Sequence, residues 1–291
     1  MGLALRRGVL LLVVAGAMSA CSAPAVSLPF AEPAAAVVDG HNISMKTYQA
    51  RLEVSHHRDP FAGIREALPS PAPAQRLESF TIEQLVREEV VRQEAEKRGI
   101  MVSDQALQAR LDALRSHAGA ASFDAALRRN GFTSDSFRAY ERALLTEVAL
   151  LHAMATDRAD SAARELQAGR TFAAVATKWS DDSGTATRGG DAGWLRPADI
   201  PEPALAAAVQ SLADKSVSGV VATDRGDVIA TVLERRGDLL HLATILVLAP
   251  VVDLYGPQST PSWFTRFIDD REAALRSAGR IELKVASHAS G

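Results

Sequence analysis

The sequence holds a single cysteine, Cys21, among 291 residues. One thiol excludes an internal disulfide and any metal site built from clustered cysteines. Phe, Trp and Tyr together make up only 5% of the chain, and with Ala, Leu and Val carrying the apolar fraction, amphipathic helices are favoured over a β-sandwich. There is no charge excess: the formal net charge is -3 and both signs are mixed along the chain. Neither a nucleic-acid partner nor a polybasic membrane patch is expected, and the expected partner is protein. No apolar run approaches the roughly 20 residues that a membrane-spanning helix needs.

What is present begins at the N-terminus. Arg6 and Arg7 give a positive start, Val9 to Ala17 an apolar stretch, and Met18-Ser19-Ala20 a small-residue approach to Cys21. This is the arrangement of a cleavable secretory signal over residues 1–20. Cleavage before Cys21 would resemble bacterial lipoprotein processing, with the new terminal cysteine as the lipidation site. From Ser22 to Pro33 the chain is rich in Ser, Ala and Pro without periodicity, so 21–34 reads as a tether that keeps a domain clear of a lipid surface. The remainder is long enough for two modest domains.

Ala35 to Val38 followed by Asp39-Gly40 reads as a short strand entering a tight turn, and Ile43 to Val54 as a helix. Pro60, Pro69, Pro71 and Pro73 then mark an irregular excursion. Thr81 to Arg98 has helical periodicity in Ile82, Leu85, Val86 and Val90, with Thr81 and Gln84 as a capping box and Gly99 as the stop. Ser103, Ser122 and Thr133 are read as the caps of three further helices, the last passing through Leu144, Val148 and Leu151. Another helix, carrying Leu166, Phe172 and Val175, leads into a glycine-rich stretch, and from there the pattern turns to strands. Val217 to Thr223, Asp227 to Leu233 and His241 to Leu248 are expected as strands, Trp263 to Ala278 as a helix and Arg280 to Val285 as a final strand. His56 and His57 with Asp59 lack partners at ligand spacing, so no metal site is expected. Ser180, Asp181 and Asp182 have no nearby histidine for a hydrolase triad.

Trp179-Ser180-Asp181-Asp182-Ser183-Gly184 and Arg188-Gly189-Gly190-Asp191-Ala192-Gly193-Trp194, with Ser218-Gly219-Val220-Val221, Thr223 and Gly226 downstream, resemble the parvulin family of peptidyl-prolyl isomerases. The helical segment from Val37 to Met154 is similar to the N-domain of extracytoplasmic foldases of the SurA and PrsA type. The resemblance implies an α+β chain: a helical chaperone domain at 35–155, a parvulin-like α/β domain inserted at 156–250, and a C-terminal helix and strand at 257–286 that return to complete the helical domain. Ile281 to Val285 should then pair with Ala36 to Val38, and Phe264, Phe267 and Leu275 should pack on the Thr81 to Arg98 helix. Neither end strand has a partner close in sequence, and a lone strand leaves its backbone unpaired.

The sequence departs from the family in order and in chemistry. The family's opening strand, a histidine followed by Ile/Leu-Leu-Val, is missing before Ala162, and Ala243-Thr244-Ile245-Leu246-Val247 resembles it at the far end. Either the sheet is circularly permuted, with 241–248 supplying the first strand, or this is an extra linker strand on a degenerate domain. By resemblance Asp182, Thr223 and Thr244 stand at catalytic positions, and Ala192, Ile200, Pro201 and Leu205 would build the proline-binding pocket. Thr244 and Val228 replace the two family histidines. The family needs no cofactor, and its clients here would be unfolded or proline-containing exported polypeptides, met at the extracytoplasmic face of a lipid-anchored membrane site. The alternative function is a non-catalytic holdase whose parvulin domain only binds or supports.

Overall fold

The structure, a computed structural model, describes residues 32–58, 73–249 and 260–285. The leader, Cys21, most of the tether, and Pro60, Pro69 and Pro71 lie outside the described residues. Strand β1 (Ala34–Val38) turns back on β2 (His41–Ser44), with Val38 opposite His41. The two-residue loop Asp39-Gly40 has φ of 52° and 82°. Two positive φ values in succession match the right-handed twist of a hairpin, and Asp-Gly tolerates them. The first strand therefore has a partner next to it, contrary to the sequence reading, in which the following helix begins at Ile43, inside β2. That helix, α1 (Met45–His57), instead begins where the Ser44 side chain accepts from the Thr47 N–H.

Helix α2 (Pro73–Lys97) opens on a proline, whose missing N–H costs nothing in a first turn. Thr81 is thus interior and fully buried, and its hydroxyl donates to Ser55 Oγ at 2.8 Å instead of capping. Helix α3 (Asp104–Ala118) is capped by Ser103 as its sequence implies. Helix α4 (Ala120–Arg129) starts at Gly119, so Ser122 lies inside it rather than at its end. Thr133 and Ser136 form a reciprocal capping box at the head of α5, which runs unbroken from Ser134–Gln167 over 34 residues, about 51 Å at 1.5 Å per residue. The sequence reading had stopped this helix near Met154. Ala155, Ala159 and Ala162 are fully buried along its second half, and such small side chains let a helix lie close on a neighbour.

At the far end of the chain, α8 (Ser262–Ser277) and β7 (Ile281–Leu283) come back to the beginning. Strand β7 pairs antiparallel with β1, Ala36 opposite Leu283 and Val38 opposite Ile281, giving the order β2-β1-β7. Phe264, Ile268 and Leu275 of α8 join Ile82, Val86 and Val90 of α2, Leu150 and Leu151 of α5, and Val38 in one core. The expected return of the C-terminus is what the structure has.

Between α5 and α8 lies the second sheet. Helix α6 (Phe172–Trp179), strand β3 (Asp191–Leu195), helix α7 (Pro203–Ser211) and strands β4 (Val221–Thr223), β5 (Gly226–Arg236) and β6 (Leu239–Leu248) follow in sequence. The sheet order is β3-β6-β5-β4, every neighbouring pair antiparallel. The last strand therefore sits inside the sheet, between the first and the third, as the permuted arrangement requires. One face packs Ile229 and Ile245 against Ala162, Val175 and Ala176 of α5 and α6. The other packs against α7 and its approach.

Candidate functional site

Strand β3 covers β6 only as far as Ala243, and beyond it the backbone of β6 would be left open. The segment between α6 and β3 closes that edge. Gly190 C=O accepts from Thr244 N–H at 2.8 Å, and Asp181 N–H donates to Leu246 C=O at 2.7 Å. Ser180 Oγ accepts from Leu246 N–H at 3.2 Å and Asp181 Oδ2 from Leu248 N–H at 2.9 Å. The approach is tight: Gly190 has φ of 85°, and a Cβ there would stand 2.5 Å from the Thr244 carbonyl oxygen. Only glycine fits both the conformation and the space.

Asp182 sits in this segment with both carboxylate oxygens engaged, Oδ1 by the Gly184 N–H at 3.1 Å and Oδ2 by the Thr185 hydroxyl at 2.8 Å. Thr223 lies at the β4–β5 turn, where its hydroxyl donates to Gly226 C=O at 2.7 Å. Val228 is opposite Leu246 and Thr244 opposite Ala230. Val228 and Thr244 are thus diagonal neighbours on one face, about 7 Å apart by strand geometry, so the two positions at which the parvulin resemblance puts histidines do converge. Val228, Ala230, Val232, Leu242 and Leu246 line this face together with Ile200, Leu205 and Val209, and Ala192 packs partly buried against them. Of the four pocket positions expected from sequence, Ala192, Ile200 and Leu205 are brought together; Pro201 is exposed at the margin. The face is apolar. Among its expected polar groups the Asp182 carboxylate and the Thr223 hydroxyl are spent on their own loops.

Sequence reasoning missed a second cluster on the same sheet. His241 Nε2 lies 2.8 Å from Asp191 Oδ1, which also accepts the Gly193 N–H at 2.8 Å. The Gly193 amide and then the imidazole hold the Asp191 carboxyl below its usual range. Trp194 stacks on His241 with centroids 5.0 Å apart and an angle of 25°, and the Arg236 guanidinium covers the indole at 4.5 Å. The stack ties the Gly-Gly-Asp-x-Gly-Trp segment to β6. The available signal was that His241 and Trp194 fall opposite each other once β3 is registered on β6. No group of three or more His, Cys, Asp or Glu among the described residues is placed to hold a metal ion. No helix among them is long and apolar enough to cross a membrane. His57 Nδ1 lies 2.9 Å from the Glu53 carbonyl oxygen, one turn back on its own helix.

Residues 7–150 match the family model described as a SurA-like N-terminal domain, and residues 146–234 match the PPIC-type PPIase domain. The second match ends before β6. A stretch of 71 residues is 37% identical to the chaperone SurA of Alkalilimnicola ehrlichii, covering 24% of this chain but only 16% of that protein. Among solved structures, peptidylprolyl isomerase PrsA from Bacillus anthracis aligns over 68% of this chain and 88% of its own at 15% identity, TM-score 0.23. A structure from work on the SurA-like chaperones PEB4 and Cj1289 of Campylobacter jejuni aligns over 86% of this chain and 91% of its own at 14% identity, TM-score 0.27.

Proposed function

The chain joins a SurA-like N-terminal domain to a PPIC-type domain, as a parvulin-type foldase of the SurA and PrsA kind does, and from that premise we propose an extracytoplasmic folding factor, anchored by lipid on Cys21, that holds exported polypeptides while its parvulin-like part binds their proline-containing segments. The domain boundaries taken for this reading are those of the sequence, 35–155 and 156–250, with 257–286 completing the first. Ala192, Ile200 and Leu205 would receive the apolar proline ring, with Pro201 at the rim. X-Pro bonds isomerise over tens of seconds unaided, so a newly exported chain benefits from being held through that step.

Holding is favoured over fast isomerisation by one observation: the apolar face around Val228 and Thr244 has no imidazole, and the Asp182 carboxylate and the Thr223 hydroxyl are bonded within their own loops. Catalysis must lower a barrier of about 18 to 20 kcal/mol by stabilising the twisted imide more than the planar one. Desolvation on an apolar face contributes to that. An oriented donor or acceptor at the imide would contribute more, and Asp182 and Thr223 are turned to their loops.

Two assays on the same preparation test the reading. One follows aggregation of an unfolded exported protein, the other cis/trans isomerisation of a short proline peptide. The expected result is strong suppression of aggregation with isomerisation far below that of a histidine-bearing parvulin. Isomerisation at an ordinary parvulin rate would overturn the view of the site, and absence of client binding would overturn the function.

A further inference from the structure

Arg158 occupies a joint where three parts of the chain meet. It projects from α5, its guanidinium lies 5.3 Å from the ring of Trp179 at the end of α6, and 4.7 Å from the ring of Trp263 at the start of α8. Among the described residues its one ion pair is a single contact, Nη2 to Asp181 Oδ1 at 3.5 Å. Asp181 is the residue whose other oxygen closes the edge of β6 at Leu248. Trp263 in turn stands edge-on to Phe264, fully buried in the helical core, at 5.8 Å and 90°.

Three buried side-chain nitrogen or oxygen atoms among the described residues make no hydrogen bond: Arg158 Nε, Trp263 Nε1 and Glu165 Oε2, the last with only an ion pair to Arg170 at 3.8 Å. All three belong to this joint. The Trp263 indole N–H faces the Asp181 carboxylate and favours its charged form, but it is not aligned for a regular hydrogen bond. Glu165 uses its other oxygen for Lys178 at 2.5 Å and the Trp179 indole at 3.2 Å. Buried polar atoms are nearly always bonded, so unpartnered ones gathered in one place need a cause. Burial also works against both members of the ion pair. It pushes the Asp181 carboxyl up despite the Leu248 amide, Arg158 and the Trp263 indole, and pushes the Arg158 guanidinium down despite Asp181. A buried pair of this kind does not hold two elements together by its charge.

We infer that the joint around Arg158 is a latch with two states, the closed one seen here and an open one in which the start of α8 parts from Trp179 and Asp181. The aromatic sandwich favours closure. Hydration of the guanidinium, the carboxylate and the orphaned indole favours opening, so the two states lie close in free energy. A conformational element poised in this way is a means of loosening the parvulin-like sheet from the helical core without unfolding either.

The charged groups facing Asp181 and Arg158 are each other, Lys178 and Glu165 beside Trp179, and Arg170 beyond Glu165; Asp227 on β5 meets α5 at Thr156, two residues before Arg158. With the folded carboxyl raised, the cost of ionised Asp181 is complete above that raised value and is relieved as pH falls through it, so mild acid tightens the latch.

Hydrogen exchange of the full chain, read by mass spectrometry with intrinsic rates divided out, tests this. Segments 172–182 and 262–267 should open together, about tenfold more readily than segment 85–95 of α2, and less readily as pH falls through the raised value of the Asp181 carboxyl. The double variant Arg158→Met/Asp181→Asn keeps an acceptor for Leu248 and removes both charges; it should open about tenfold less than the natural protein. Arg158→Met alone strands the carboxylate and should open more. A joint as protected as α2, or a double variant with unchanged circular dichroism that opens more than the natural protein, would overturn the latch. Should the double variant not fold, Asp181→Asn alone decides: the pH dependence must vanish, and its persistence refutes the proposal.

Discussion

Val228 is 5% exposed, and an imidazole in its place would be set among Ile200, Leu205 and Leu246. A buried polar group left unpaired costs about 1–3 kcal/mol. Val228→His should therefore lower stability by about 2 kcal/mol and leave proline isomerisation unraised, which a denaturant titration run beside the peptide assay would establish. At Asp191 the expected effect is one of pH. Its lowered carboxyl contributes stability that is complete above the ordinary value, about 3.9, and that drains away as pH falls through the folded value. The stability difference between the natural protein and Asp191→Asn should shrink below about pH 4, as thermal melts in a series of acid buffers would show. The identities of the apolar-face residues were legible in the sequence because glycines and a Trp at fixed spacing mark the loop. Their availability was not. Whether Asp182 or Thr223 is free depends on which neighbour its oxygens meet, and the Asp191–His241 contact joins residues 50 apart, a separation that no local pattern encodes.

Elements were read well where one physical signal dominated. Ser103 and Thr133 cap because each has a polar oxygen before a periodic run, whereas Thr81 has the same chemistry and is buried inside α2, because the preceding residues continue the helix and Ser55 offers its hydroxyl a partner. The α5 boundary failed for a related reason: a stripe of alanines is a weak periodic signal, yet it is what permits close packing on the sheet. The returning elements α8 and β7 carry the prediction at this scale. Ending the chain after Gly256, which lies outside the described residues, removes Phe264, Ile268 and Leu275 from the helical core, at about 1.5–3 kcal/mol for each such side chain. The apolar face of the larger sheet draws no residue from α8. The truncated protein should lose the cooperative melt of its helical part in circular dichroism while protease-resistant fragments spanning β3 to β6 persist.

At the scale of the molecule, mature protein taken from its native membrane should begin with a lipid-modified Cys21. Mass spectrometry of the N-terminal peptide decides, and any other start or an unmodified thiol counts against the anchor. Three acyl chains at about 0.8 kcal/mol for each buried methylene would hold it firmly. The gross plan, with the chain ends meeting in one sheet and a second sheet between them, could be read in advance from the foldase resemblance; a lack of near partners for the first strand does not support it, since β2 pairs with that strand. The permuted sheet could be suspected but not chosen over a linker strand, since sequence shows a strand's character and not its neighbours.

The pairing of Ala36 with Leu283 and the insertion of β6 between β3 and β5 bear on how the protein is born. A chain threaded through an export channel from its N-terminus delivers β1 first and β7 last. Neither core is closed on the way: the larger sheet waits for residue 248 and the helical core for residue 283. Under the proposed function, a factor that shelters unfinished polypeptides would itself pass through a long unfinished stage, and pulse-labelled protein caught during export should remain protease-sensitive until almost its whole length has crossed.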